Sequence, residues 1–117
     1  MASVSEIEGF LRDFKHKLDF WGLIFRSDRG KNFTTIIQLE YNIADVKKVL
    51  RELELGDYAE GPLEETLYNG ADMWVFGKWF QAKEVYIKIS MGLPSDKAFC
   101  ISFHFSDRAL NYPYKNK

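Results

Sequence analysis

The sequence predicts an α+β domain in which an N-terminal helix and a helical pair pack on an antiparallel sheet of three to four strands. Apolar residues recur at helical spacing through the first half of the 117-residue chain. Residues 73–105 instead alternate with a period of two and are rich in β-branched and aromatic side chains, a pattern typical of half-buried strands. Turns of hairpin length separate the alternating runs, so we expect consecutive antiparallel strands. We expect one domain over residues 1–117, because this length supplies a single core.

The N-terminal helix has the clearest helical pattern. Ser3 and Glu6 have the spacing of a capping box, in which each side chain bonds the backbone N–H of the other residue. The apolar residues that follow recur every three or four positions and predict one buried stripe: Ile7, Phe10, Leu11, Phe14, Leu18 and Trp21. We therefore expect this helix to lie on the sheet.

The segments between the first helix and the alternating strands are less regular. Residues 22–26 predict a short edge strand. Residues 33–41 predict a short helix, because their apolar spacing outweighs their strand-forming composition. A further helix is expected over residues 43–55, ended by Gly56 in the left-handed conformation. Residues 57–62 are expected to form an irregular connector.

The alternation assigns a face to each residue of the last two strands. The apolar face is expected to pack under the N-terminal helix and comprises Val85, Ile87, Ile89, Met91, Phe99, Ile101, Phe103 and Phe105. The other face brings Tyr86, Lys88, His104 and a serine onto one surface. We expect the function on that surface. Cys100, within an apolar strand, is expected to be a small packing residue.

Charge and composition limit the kinds of partner and the compartment that we expect for this chain. Residues 1–70 carry nine basic and 13 acidic residues, whereas residues 71–117 carry seven basic and four acidic ones. This asymmetry is either fortuitous or a sign that the sheet faces a phosphate backbone. No apolar run approaches the ~18 residues of a membrane span, and the N-terminus lacks the pattern of a signal peptide. With one cysteine and no possible internal disulfide, the cytoplasm is the expected compartment.

Four short segments, taken in order, resemble a family of small bacterial toxins. These are GDYAEGP at residues 56–62, MWVFGK at 73–78, VYIKI at 85–89 and CISFH at 100–104. The family is that of the motility-quorum-sensing-regulator (MqsR) mRNA interferases, which are related in fold to RelE. The resemblance implies an RNA endonuclease, held inactive by a cognate antitoxin protein that is expected to carry a helix-turn-helix domain.

The family's active residues carry over in part. Tyr86 matches the tyrosine of the family's corresponding strand. His104 stands where the family has a lysine, Val75 stands where it has a glutamine, and Glu60 falls near a family lysine. His104 favours an enzyme, whereas Val75 and Glu60 favour the alternative, a non-catalytic protein- or RNA-binding module on the same scaffold.

The residues themselves suggest how metal-free RNA cleavage would proceed. Such cleavage needs a base, an acid and positive charge near the phosphorane. We predict His104 as acid or base, because histidine titrates near neutral pH, with Tyr86 and Lys88 as the other catalytic residues. Further RNA contacts are expected from Lys78, Trp74, Arg26, Arg29 and Lys31. Alternatively, Tyr86 and Lys88 lie on a solvated sheet face and Trp74 belongs to the core. No metal, cofactor or membrane partner is expected, since histidines and cysteines do not cluster at ligand spacing.

Overall fold

The helices and strands below come from a computed structural model that describes residues 1–26, 30–64 and 71–115. In this part of the chain three α-helices pack on a five-stranded sheet. The elements in chain order are α1 (Val4–Trp21), β1 (Leu23–Phe25), α2 (Gly30–Leu39), α3 (Ile43–Arg51), a 3-10 turn (Leu55–Asp57), β2 (Tyr58–Leu63), β3 (Met73–Phe80), β4 (Lys83–Ser90) and β5 (Ala98–Phe105).

The predicted α+β class is confirmed, but the predicted sheet was too small and of the wrong type. The strand order is β1-β5-β4-β3-β2, and β1 pairs with β5 in parallel, so the sheet is mixed. The strand missing from the prediction is β2, which occupies the segment expected to be a connector. Its glycine, proline and glutamate are poor strand formers, and proline is tolerated there because β2 lies at the sheet edge.

The helix predictions hold better than the sheet prediction. Ser3 and Glu6 form the expected capping box of α1, and α2 covers most of the segment predicted to be a short helix. Helix α3 ends at Arg51, earlier than expected, and Leu53, beyond its end, is fully buried. Gly56 therefore lies in the 3-10 turn and is not among the residues with positive φ, contrary to the prediction.

A β-bulge in β5 changes which side chains reach the core. Ile87 pairs with Phe103 as expected, but beyond Lys88 the register shifts by one residue and Ile89 pairs with Cys100. Cys100 is thus fully buried among the core residues. Phe99 pairs with Ser90 instead, so its predicted place on the apolar face was wrong. Strict alternation cannot reveal a bulge, since one extra residue inverts every face beyond it.

The core lies between α1 and one face of the sheet. Phe14 and Phe76 are fully buried there, and the ring of Phe10 stacks on that of Trp74 at 4.6 Å. The Lys17 ammonium donates to the carbonyls of Met91 and Leu93, which ties the loop between β4 and β5 to α1. The helices therefore cover one sheet face, and the opposite face, called here the open face, carries the three residues predicted to be catalytic: Tyr86, Lys88 and His104.

Candidate functional site

The pairing of β4 with β5 brings three predicted catalytic residues together on the open face. Tyr86 pairs directly with His104, and Lys88 pairs with Ser102. The rings of Tyr86 and His104 stack at a centroid separation of 5.3 Å and an angle of 15°. The Lys88 ammonium lies 5.8 Å from the centre of the Tyr86 ring. The predicted juxtaposition of Tyr86, His104 and Lys88 is therefore present.

These residues line an open groove of about 290 Å³. Lys31 of α2 lines it, as do Asp107 and Arg108 from the segment after β5. Lys31 and Asp107 form an ion pair with a 2.9 Å Nζ–Oδ2 distance. The hydrogen bond from Lys31 and its positive charge lower the pKa of Asp107. Two lysines and an arginine face one carboxylate, so the groove suits an anion.

The hydrogen bond of the His104 ring indicates which ring nitrogen carries the proton when the ring is neutral. Nδ1 lies 3.0 Å from the Phe105 carbonyl oxygen. A carbonyl oxygen only accepts hydrogen bonds, so Nδ1 must carry the proton. The lone pair of the neutral ring is then on Nε2. His104 can accept a proton at Nε2 while its orientation is held through Nδ1.

Helix α2 holds the strand that carries His104. Strand β1 pairs with β5 only as far as Cys100. Farther along β5, the backbone N–H of Phe103 donates to Asn32 Oδ1 at 2.9 Å, and that of Phe105 donates to Thr35 Oγ1 at 3.1 Å. These two side chains take the place of a neighbouring strand on either side of His104. Both are buried, which leaves no water to compete for the same N–H groups.

The other wall of the groove belongs to residues 106–115, called here the C-terminal segment. Its anchor is Glu84, a largely buried carboxylate on the open face. The Leu110 N–H donates to Glu84 Oε1 at 2.9 Å, and the Tyr112 hydroxyl donates to Oε2 at 2.6 Å. Burial and the hydrogen bond to Glu84 raise the pKa of Tyr112. This anchor fixes the path of the chain on which Asp107 and Arg108 lie.

The remaining predicted RNA-binding residues lie elsewhere or outside the described residues. Trp74 is buried against Phe10 on the helix-covered face, as in its core alternative. Lys78 shares that face and forms a 2.9 Å ion pair with Asp57. Arg26 lies at the end of β1, where its carbonyl accepts from the Asn32 amide at 2.9 Å. Arg29 lies outside the described residues. Among the described residues of this group, Lys31 alone lines the groove.

Sequence reasoning missed Asn32, Thr35, Asp107 and Arg108. The two α2 residues gave a weak signal, since they are polar side chains within an apolar helical stripe. Arg108 contributes to the basic balance of residues 71–117, but nothing in its local sequence indicates that the chain folds back over the sheet.

The described residues 1–26, 30–64 and 71–115 contain no group of three or more histidine, cysteine or acidic residues placed to hold a metal ion. Within the same ranges no helix is both long and apolar enough to span a membrane. Comparisons with protein-family models, with curated proteins and with solved structures returned no match.

Proposed function

We propose that this protein is an endoribonuclease that cleaves single-stranded RNA in the groove by metal-free acid–base chemistry. The observation that supports this most is the pairing of His104 with Tyr86 at the floor of a groove bordered by Lys31, Lys88 and Arg108. A histidine with a lone pair available at Nε2 supplies proton transfer. The three cations offset the charge that develops on a phosphorane.

The reaction follows from these positions. Nε2 of His104 takes the proton of a ribose 2′-hydroxyl, and the 2′-oxygen attacks the adjacent phosphorus. The new bond gives a 2′,3′-cyclic phosphate as the bond from phosphorus to the 5′-oxygen breaks. The leaving 5′-oxygen takes a proton from the Tyr86 hydroxyl, and exchange with water then moves the proton from the His104 ring back to Tyr86. Lys88 and Arg108 bind the non-bridging oxygens throughout.

The resemblance to the MqsR family extends the proposal to the biological setting. The chain would be the toxin of a toxin–antitoxin pair, acting in the cytoplasm on a RelE-like scaffold to which β1 adds a parallel edge strand. A cognate antitoxin with a helix-turn-helix domain would neutralise it by protein contact. The support for this setting is the order of the four short segments, together with the α+β arrangement.

The test is cleavage of a single-stranded RNA by purified protein across pH 5–9. His104→Ala should lower the rate by about 10²–10⁴-fold, and Tyr86→Phe should lower it substantially. His16→Ala is the matched control, because His16 is exposed on α1, away from the groove. Retained activity and an unchanged pH profile in His104→Ala would remove His104 from the mechanism.

One observation favours the alternative of a non-catalytic binding module. Val75 pairs with Lys88 and is fully buried, so β3 contributes an apolar side chain where the family has an amide. Wild-type protein that binds RNA through the groove without cleaving it, with or without ribosomes, would establish this alternative.

A further inference from the structure

Trp79 is an exposed aromatic residue on the open face whose exposure nothing in the core explains. Trp79 of β3 pairs with Glu84 of β4, and two residues away on each strand Gly77 pairs with Tyr86. Trp79 and Tyr86 are therefore diagonal neighbours on one sheet face, a relation that places Cβ atoms about 7–8 Å apart. Trp79 is 56% exposed, so its indole is accessible to a ligand.

A second depression, of about 460 Å³, lies between Trp79 and the chain after β5. Lys83 and Phe105 line it, and the Lys83 ammonium lies 4.8 Å from the centre of the Phe105 ring. Ser106 and Arg108 border both this depression and the groove. The two concavities are thus adjacent, one lined by cations and a histidine and the other by an exposed indole.

We propose that Trp79 is a stacking subsite for a nucleobase of the single-stranded RNA whose phosphate occupies the groove. This inference rests on the proposed function and deepens it. The indole face accepts any base, because every base presents a π surface. Arg108, shared by the two concavities, is placed to bind the phosphate that joins the stacked nucleotide to the cleaved one. Lys83 adds positive charge to the lining of this depression.

Charge complementarity favours RNA over a protein side chain at this position. Arg108 and Lys83 line the depression, and the nearby Glu84 carboxylate is already bonded by Leu110 and Tyr112. Phe20 on α1 provides a contrast. It is 73% exposed and packs edge-to-face on Trp21, on an element whose residues do not line the groove. A variant at Phe20 therefore reports the effect of losing an exposed aromatic side chain alone.

The test uses an RNA of about eight nucleotides with 2′-O-methyl riboses, which binds but cannot be cleaved. Its Kd is measured by fluorescence anisotropy for the wild type, Trp79→Ala, Trp79→Phe and Phe20→Ala. Trp79→Ala should weaken binding by about 5-fold or more, since one stacked base is typically worth ~5- to 150-fold. Trp79→Phe should retain most of the affinity, and Phe20→Ala should match the wild type.

A second arm removes the base instead of the indole. Abasic nucleotides are placed at each position of the same oligonucleotide in turn. The wild type should lose affinity at one position, and Trp79→Ala should lose no more at that position. Equal Kd values for Trp79→Ala and Phe20→Ala would overturn the subsite. So would the same pattern of abasic losses in the wild type and in Trp79→Ala, and the surface would then be assigned to a protein partner. Wild-type protein that binds this RNA but does not cleave natural RNA would instead overturn the proposed nuclease, and the Kd comparison would still decide the role of Trp79.

Discussion

Gly77 is the position where a single methyl group should disturb the site most clearly. A Cβ atom built there would lie 2.1 Å from the Tyr112 hydroxyl oxygen and 2.7 Å from Leu110 Cδ1. Both distances are too short for contact, so in Gly77→Ala the Tyr112 and Leu110 side chains must shift, which loosens the C-terminal segment from the open face or strains it in place. A glycine inside a strand commonly marks such a close approach.

The magnitude follows from what the displacement breaks. The Tyr112 hydroxyl bonds the Glu84 carboxylate at 2.6 Å, and a hydrogen bond to a charged group contributes about 1.5–3 kcal/mol. If the segment stays in place instead, overpacking costs about 1–3 kcal/mol. Either route predicts that Gly77→Ala lowers the free energy of unfolding by about 1–3 kcal/mol.

The assay is urea unfolding combined with hydrogen exchange. Gly9→Ala is the control, because a Cβ at Gly9 meets only Arg12 Nη2, at 3.8 Å. Replacing a glycine inside a helix should stabilise the protein by about 0.5–1 kcal/mol, opposite in sign to Gly77→Ala. Amide protection in the C-terminal segment should fall in Gly77→Ala alone, as should RNA cleavage, because Arg108 lies on the displaced chain. A Gly77→Ala protein as stable and as protected as the wild type would refute the packing described here.

Three other predictions concern the side-chain hydrogen bonds from α2 to β5, the buried thiol of Cys100 and the groove. Thr35→Val leaves the Phe105 N–H without its acceptor and should lower the free energy of unfolding, measured in urea, by about 1–3 kcal/mol. An unchanged midpoint would mean that this hydrogen bond does not stabilise β5. Burial raises the pKa of Cys100, so the unfolded chain loses this proton first. Ionisation of Cys100 does not affect stability below about pH 8.5, the pKa of a cysteine thiol in the unfolded chain. Above that pH the free energy of unfolding falls by up to about 1.4 kcal/mol per pH unit. That decline should be smaller in Cys100→Ala, and equal alkaline slopes would contradict the assignment. Lys88→Ala should weaken RNA binding and reduce the slope of log K against log salt by about 0.7, whereas Lys48→Ala on α3 should change neither; equal losses would place the RNA elsewhere.

The parts of the fold and site that the sequence predicted are those set by local patterns. The capping box and apolar stripe of α1 involve residues a few positions apart. The pairing of Tyr86 with His104 follows from alternation and a short hairpin loop. The errors arose where distant segments meet. Strand β2 has poor strand composition, and the parallel contact of β1 with β5 joins residues far apart in the chain.

The sequence by itself determined that helices cover one face of a sheet and that Tyr86, Lys88 and His104 share the other, because side-chain periodicity encodes which residues avoid water. Tertiary structure alone decided which cations join them. Lys31 reaches the groove because Asn32, its neighbour on α2, completes the hydrogen bonding of β5. Arg108 reaches it because the chain after β5 folds back onto the buried Glu84 carboxylate. Both contacts depend on the burial of polar groups that must find partners, and the partner of a buried group is set by the folded surroundings rather than by the local sequence.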